Sequence, residues 1–221
     1  MSIVIRTLSE QVFTIIREQI ITGRLAEDKP IRQDALAAQL GVSKIPLREA
    51  LARLEQEGLL TSQANRGWLV RRMSVAEAEE IFELRLGLEP AATGYAARMA
   101  TEEDRTAAIA AFEALDSAAH DNLPDVATLN RAFHIALVRP GGRKLTVQLI
   151  ERLAVLGERY VVAHLQPAGR EDRAHIEHRD VLDAWLARDE EASTSLVARH
   201  IQGTLDDLRV QFATSSASSA A

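Results

Sequence analysis

The feature that most limits what this chain can become is the run 33–54, QDALAAQLGVSKIPLREALARL, two helical patterns separated by Gly41-Val42-Ser43. Ala37 is small where two helices must cross closely, and Gly41 admits the left-handed backbone of a tight turn. Leu36 and Leu40 face inward from the first helix. Leu47, Ala50, Leu51 and Leu54 form an i, i+3, i+4, i+7 stripe on the second. Burying that stripe leaves Lys44 and Arg48 together on the outward face, one turn apart. Ser43 suits the N-cap and Pro46 is tolerated in the first turn. The expected unit is a helix-turn-helix, whose second helix offers basic side chains to a nucleic-acid groove. The competing reading is a helical hairpin with solvated charges.

The flanking sequence extends this unit on both sides. A helix is expected over 8–23, where Val12, Ile15, Ile16 and Ile20 recur at helical spacing and Gly23 is the stop. Gly58 terminates the second helix of the pair after Glu57. Leu59-Leu60-Thr61 and Trp68-Leu69-Val70-Arg71 read as two short strands around the polar turn 62–67, a small wing with Asn65 and Arg66 at its tip and Gly67 allowing close backbone approach. Arg66 suits the minor groove or a backbone phosphate.

No strand signal follows Met73. Ser74 and Glu77 form a capping box for a helix that runs towards Gly87–Pro90 and resumes to Met99. Thr101-Glu102-Glu103-Asp104 opens the next, to about His120. Pro124 sits where an N1 proline would, starting a helix that ends before Pro140. The last three span roughly 143–165, 170–188 and 190–212, with Pro167 and Gly169 between the first two. The fold class is therefore mainly α: a winged helix-turn-helix of three helices plus a small wing over 1–73, an all-helical bundle over 74–212, and a Ser/Ala tail, 213–221, expected to be disordered.

Charge divides along the same line. The net charge of −6 hides 11 Lys+Arg against 8 Asp+Glu in residues 1–73, and 15 against 24 in the remainder. A basic head on an acidic body fits contact with phosphates by the head alone. The absence of cysteine excludes disulfides and thiolate metal sites. With no apolar run of about 18 residues and no signal-type stretch before Glu10, a cytoplasmic chain without a membrane partner is expected.

Three of the six histidines stand out. Asn130 and His134 are four apart and share one helix face, His178 lies on the next-to-last helix, and His200 on the last. Their neighbours are apolar, so the imidazoles can point into the bundle core and, with one oxygen ligand, hold a divalent metal. Spacing alone favours three unrelated histidines, each hydrogen-bonded or exposed. His120, His164 and His175 are expected to be structural or exposed. Arg85, at helical spacing from Glu89, is either a carboxylate anchor or its intrahelical partner.

LSEQVFTIIREQIITGRL, LAAQLGVSKIPLREALARLEQEGLL and NRGWLV together resemble the GntR family of bacterial transcription regulators across residues 8–71. The resemblance implies operator double-stranded DNA as partner, with Arg32, Ser43, Lys44, Ile45, Arg48, Asn65, Arg66 and Gly67 at the DNA-binding positions. Three positions depart from the family: Asp34 stands where an arginine is frequent, Lys44 replaces the usual Arg, and Ile45 a common Thr. A lysine in place of a bidentate arginine alters base specificity.

Residues 75–210 are similar to the all-helical FCD effector-binding domain of the FadR-type branch. The matching elements are Glu83-Leu84-Arg85 with Leu88-Glu89, Asn130…Phe133-His134, Glu177-His178-Arg179 and Ala198-Arg199-His200. This implies a divalent metal of the Zn, Ni or Mn class at Asn130, His134, His178 and His200. It also implies a small organic acid effector that completes the coordination, a candidate contact at Arg85, and a homodimer acting as repressor or activator. Asn130 occupies the family's Asp position, and a neutral oxygen there leaves the metal its full double charge for an anionic effector.

Two rival readings remain. A metal-dependent hydrolase could use a three-His site with an open position, although HExxH is absent and Glu177 is expected to face away from the histidines. A regulator with a metal-free effector pocket is the other.

Overall fold

Thr7 starts the first helix, α1 (Leu8–Ile21), by a reciprocal cap. Its hydroxyl accepts the Glu10 N–H while the Glu10 carboxylate accepts the Thr7 N–H. The computed structural model describes residues 7–120, 126–165 and 170–218, and the chain divides into two units, Met1–Arg72 and Met73–Ala221.

In the first unit, α2 (Gln33–Leu40) ends at Gly41, whose φ of 66° is the left-handed turn the sequence demanded. α3 (Lys44–Gln56) packs on α1. Two antiparallel strands follow, β1 (Leu60–Gln63) and β2 (Gly67–Val70), with Leu60 opposite Val70 and Gln63 opposite Gly67. The wing strands are thus shifted by a residue from the expected limits, and Asn65 takes a φ of 64° at the tip. One pairing was not foreseen. Residues 27–31 run along the free side of β2, with the Ile31 N–H donating to the Trp68 carbonyl at 2.8 Å, and this ties the chain down immediately before Arg32.

The second unit is helical throughout its described residues: α4 (Val75–Met99), α5 (Glu102–His120), α6 (Val126–Val138), a 3-10 turn (Arg139–Gly141), α7 (Lys144–Leu165), α8 (Arg170–Leu186) and α9 (Glu190–Ser218). The expected interruption at Gly87–Pro90 does not occur; α4 is one helix through a buried Pro90. A mid-helix proline costs about 3 kcal/mol. Ile81 and Phe82 before it and Ala92, Ala96 and Ala97 after it are all buried, and that burial on both sides offsets the cost. At the start of α4 only half of the expected capping box forms. Ser74 accepts the Glu77 N–H, but the Ser74 N–H donates to the Tyr160 hydroxyl, which in turn donates to Glu77.

α9 continues past Phe212 to Ser218 instead of giving way to an irregular tail, although Ser and Thr outnumber Ala over 213–218. The helix start expected at Pro124 and the breaks expected at Pro167 and Gly169 lie outside the described residues. The bundle core is built on Trp185, Phe82, Phe112, Phe133 and Leu137, all at 2% exposure or less.

Candidate functional site

The head presents its basic residues because its leucines are elsewhere. Leu47, Ala50, Leu51 and Leu54 are fully buried against the α1 side of the unit. Rotating α3 to hide its cations would expose three leucines, a loss of roughly 5 kcal/mol. Lys44, Ile45 and Arg48 are exposed in consequence, as are Arg32, Ser43, Asn65 and Arg66, while Gly67 is half-buried. Arg32, Lys44 and Arg48 come together with Gln33, Asp34 and Ala35 around a surface groove of about 730 Å³. Ser43, exposed, occupies the N-cap with extended backbone but makes no side-chain cap bond. At the wing, the Arg66 guanidinium donates to Gln63 at 3.1 Å, and the Trp68 indole donates to Glu55 on α3 at 2.8 Å, which joins wing to recognition helix.

One feature of this face escaped the sequence reading: Lys44 Nζ lies 2.5 Å from Asp34 Oδ1. The two departures noted separately in the sequence are a single ion pair in the fold.

In the body, α6, α8 and α9 bring His134, His178 and His200 to one place, with a ring nitrogen from each within 4.8 Å of the others. His134 and His178 are buried, and the His200 side chain retains 11% exposure. Burial, reinforced by the neighbouring imidazoles and, for His134, by the Arg85 guanidinium, holds the pKa of both His134 and His178 well below the usual 6.5. Both imidazoles are therefore neutral near pH 7, the form that donates a lone pair to a metal. The Nε2 of His134 is buried without a hydrogen-bond partner among the described residues, and His178 Nε2 lies 3.2 Å from His200 Nε2. A buried imidazole nitrogen left unmatched costs about 1–3 kcal/mol, which a metal ion would remove. The donor set thus fits a divalent metal. Asn130 stands half-buried on α6, one turn before His134 on the same face.

Glu177 corrects the sequence reading. It does not face away from the histidines: its Oε2 lies 2.8 Å from His200 Nδ1. A carboxylate only accepts, so His200 carries its proton on Nδ1 and turns Nε2 towards the other two rings. Arg85 makes the intrahelical contact, with two bonds to Glu89 at 2.5 and 3.1 Å in a pair almost wholly buried, and Glu89 in turn lies 3.9 Å from His134 Nδ1. His120 is exposed, and His175 pairs with Asp116 on α5 at 2.5 Å, outside the cluster. The side chain of His164 lies outside the described residues.

A winged helix-turn-helix with an exposed basic groove, followed in the chain by a helical unit with a buried histidine cluster, defines a two-part DNA-binding transcriptional regulator. The comparisons place it further. Residues 8–70 match the bacterial regulatory proteins of the gntR family, and residues 80–203 match the FCD domain. The chain belongs to the GntR family of transcriptional regulators, in its FCD-containing branch. It is 30% identical to the Nta operon transcriptional regulator of Aminobacter aminovorans, covering 80% of this chain and 83% of that one. It is 29% identical to the HTH-type regulator BphR of Paraburkholderia xenovorans, over 93% and 86%. The structure of Escherichia coli McbR superposes with a TM-score of 0.76 at 24% identity over 94% of this chain, a likeness of fold. These relatives are regulators, not enzymes, and the hydrolase reading is set aside. No helix among the described residues is long and apolar enough to cross a membrane.

Proposed function

We propose that the body binds a divalent metal of the zinc, nickel or manganese class through His134, His178 and His200, with Asn130 as the remaining protein ligand, and that a small carboxylate effector joins it to change operator affinity. The observation that carries this is the buried Nε2 of His134, without a hydrogen-bond partner among the described residues, in a cluster of three imidazoles whose nitrogens converge within 4.8 Å. The metal supplies a double positive charge amid neutral ligands, which favours an anionic effector. Arg85 stays bound to Glu89 in this reading.

In this reading the head, 1–73, and the body, 74–212, act as coupled domains of a cytoplasmic homodimer. Its two recognition helices meet the half-sites of a pseudo-palindrome through Arg32, Ser43, Lys44, Ile45, Arg48 and the wing residues Asn65, Arg66 and Gly67. The effector acts by differential affinity for two arrangements of the dimer. A relative 29% identical, GlaR of Escherichia coli, is a transcriptional repressor, and repression is the sign we assign here.

Metal content of the purified protein and of His134→Ala tests the site: wild type should carry metal that the variant lacks, and equal content in both removes it. A thermal-shift screen of organic acids, with and without chelator, tests the effector. A shift that survives chelation points to a metal-free pocket instead.

A further inference from the structure

We infer that Asp34 and Lys44 act as one reading unit for a G·C base pair in each operator half-site. Asp34 lies in the first turn of α2 and Lys44 is the first residue of α3; the turn between them folds carboxylate and ammonium to 2.5 Å. Both side chains face outward, at 79% and 63% exposure. They line the same groove as Arg32 and Arg48, so among the described residues the lining holds three cations and one anion.

That single anion needs a reason. An acid in a helix's first turn favours the helix dipole, which explains an Asp on α2 but not its pairing with the recognition helix. An exposed ion pair adds little to stability. Against DNA the carboxylate is unfavourable wherever it meets a phosphate: two like charges 5 Å apart in water weaken association about fourfold. A carboxylate kept on a DNA-facing surface therefore works against indiscriminate binding, and its favourable partner in a duplex is an amino group on a base edge.

The chemistry of the pair selects the base pair. Asp34 is acceptor-only. Lys44 has three donors, one spent on Asp34, which leaves two. Across the major groove a G·C pair shows two adjacent acceptors, guanine N7 and O6, followed by the cytosine N4 amino donor. An ammonium beside a carboxylate is complementary to that order. An A·T pair places its single amino donor between two acceptors and ends on a methyl group. A carboxylate over that amino group leaves the adjoining ammonium only one acceptor. Asp34 also holds the flexible lysine in place, giving it part of the fixed geometry that an arginine has intrinsically.

The test is selection from a random 30-bp duplex library by the full-length wild type, Asp34→Ala, Asp34→Asn and Lys44→Ala, with circular dichroism as the folding check. Competition titrations then follow, using the selected duplex, its G·C-to-A·T variants and a random duplex over a salt series. Wild type should prefer G·C at one position of each half-site by roughly ten- to a hundredfold. Both Asp34 variants should lose most of that preference, bind the random duplex more tightly, and show a salt dependence steeper by up to about one phosphate contact. Lys44→Ala should lose the same preference with a shallower slope. An undiminished G·C preference in the Asp34 variants, or preferences lost at different positions in the Asp34 and Lys44 variants, overturns the inference. Failure of the wild type to select any duplex overturns it together with the DNA-binding assignment.

Discussion

Replacing Gly94 by alanine should force α4 away from the first turn of α9. A Cβ built at Gly94 would stand 2.2 Å from Thr194 Oγ1 and 2.6 Å from the Glu190 carbonyl oxygen. The threonine cannot simply rotate away without giving up its own bond to that carbonyl, at 2.7 Å. The carbonyl belongs to the backbone, so relief requires the first turn of α9 to retreat by several tenths of an ångström. Overpacking of this kind costs about 1–3 kcal/mol, and a backbone clash belongs at the upper end. Alanine returns about 1 kcal/mol through helix propensity, leaving a net destabilisation of roughly 2 kcal/mol. For a unit of this size that is a fall in Tm of roughly 4–8 °C. Gly87 on the same helix is the control: its added Cβ meets nothing within 4 Å, so Gly87→Ala should raise Tm by a few degrees. Both are read by calorimetry at one protein concentration. Since α9 carries His200, Gly94→Ala should also reduce metal uptake. A Gly94→Ala protein that melts at or above the wild-type temperature would refute the close-crossing argument.

Three further outcomes are expected. Arg48 is exposed on α3, so Arg48→Ala should weaken operator binding in a gel-shift titration by roughly ten- to a hundredfold without lowering Tm; unchanged affinity removes it from the DNA face. Glu177→Ala should weaken metal binding by about 10–100-fold in chelator competition, with Glu177→Gln intermediate because its amide oxygen still accepts from His200 Nδ1; equal affinity in all three proteins rejects the orienting role. Tyr160, buried and linked to Ser74 and Glu77, has its phenol pKa pushed up to about 12, chiefly by burial. The fold favours the neutral phenol, so its contribution is complete below pH 10 and is lost as pH rises towards 12. The stability difference between wild type and Tyr160→Phe should close over that interval, and a constant difference contradicts the assignment.

What the sequence disclosed and what it withheld divide by the range of the forces involved. The stripe Leu47, Ala50, Leu51, Leu54 and the turn at Gly41 are local patterns, and the fold obeys both. Pro90 also gives a local signal, and it misleads because burial along both halves of α4, a tertiary effect, outweighs the break. The bridging of residues 27–31 to β2 leaves no periodic trace, since only isolated residues pair across some forty positions of chain. The histidines show the same limit: 44 residues separate His134 from His178, so spacing could not decide between a cluster and three unrelated rings, and the family resemblance supplied the grouping. Glu177 was misplaced because one residue along a helix is a turn of 100°, which directs the Cβ away from His178. A glutamate side chain is long enough to cross to the neighbouring helix, and there it finds His200 instead. Asp34 and Lys44 were visible as two separate departures, and only a folded turn turns two departures into one pair. Where a functional residue acts through a side chain on another element, its sequence context carries only half of the information, and the other half is the packing that brings the two elements together.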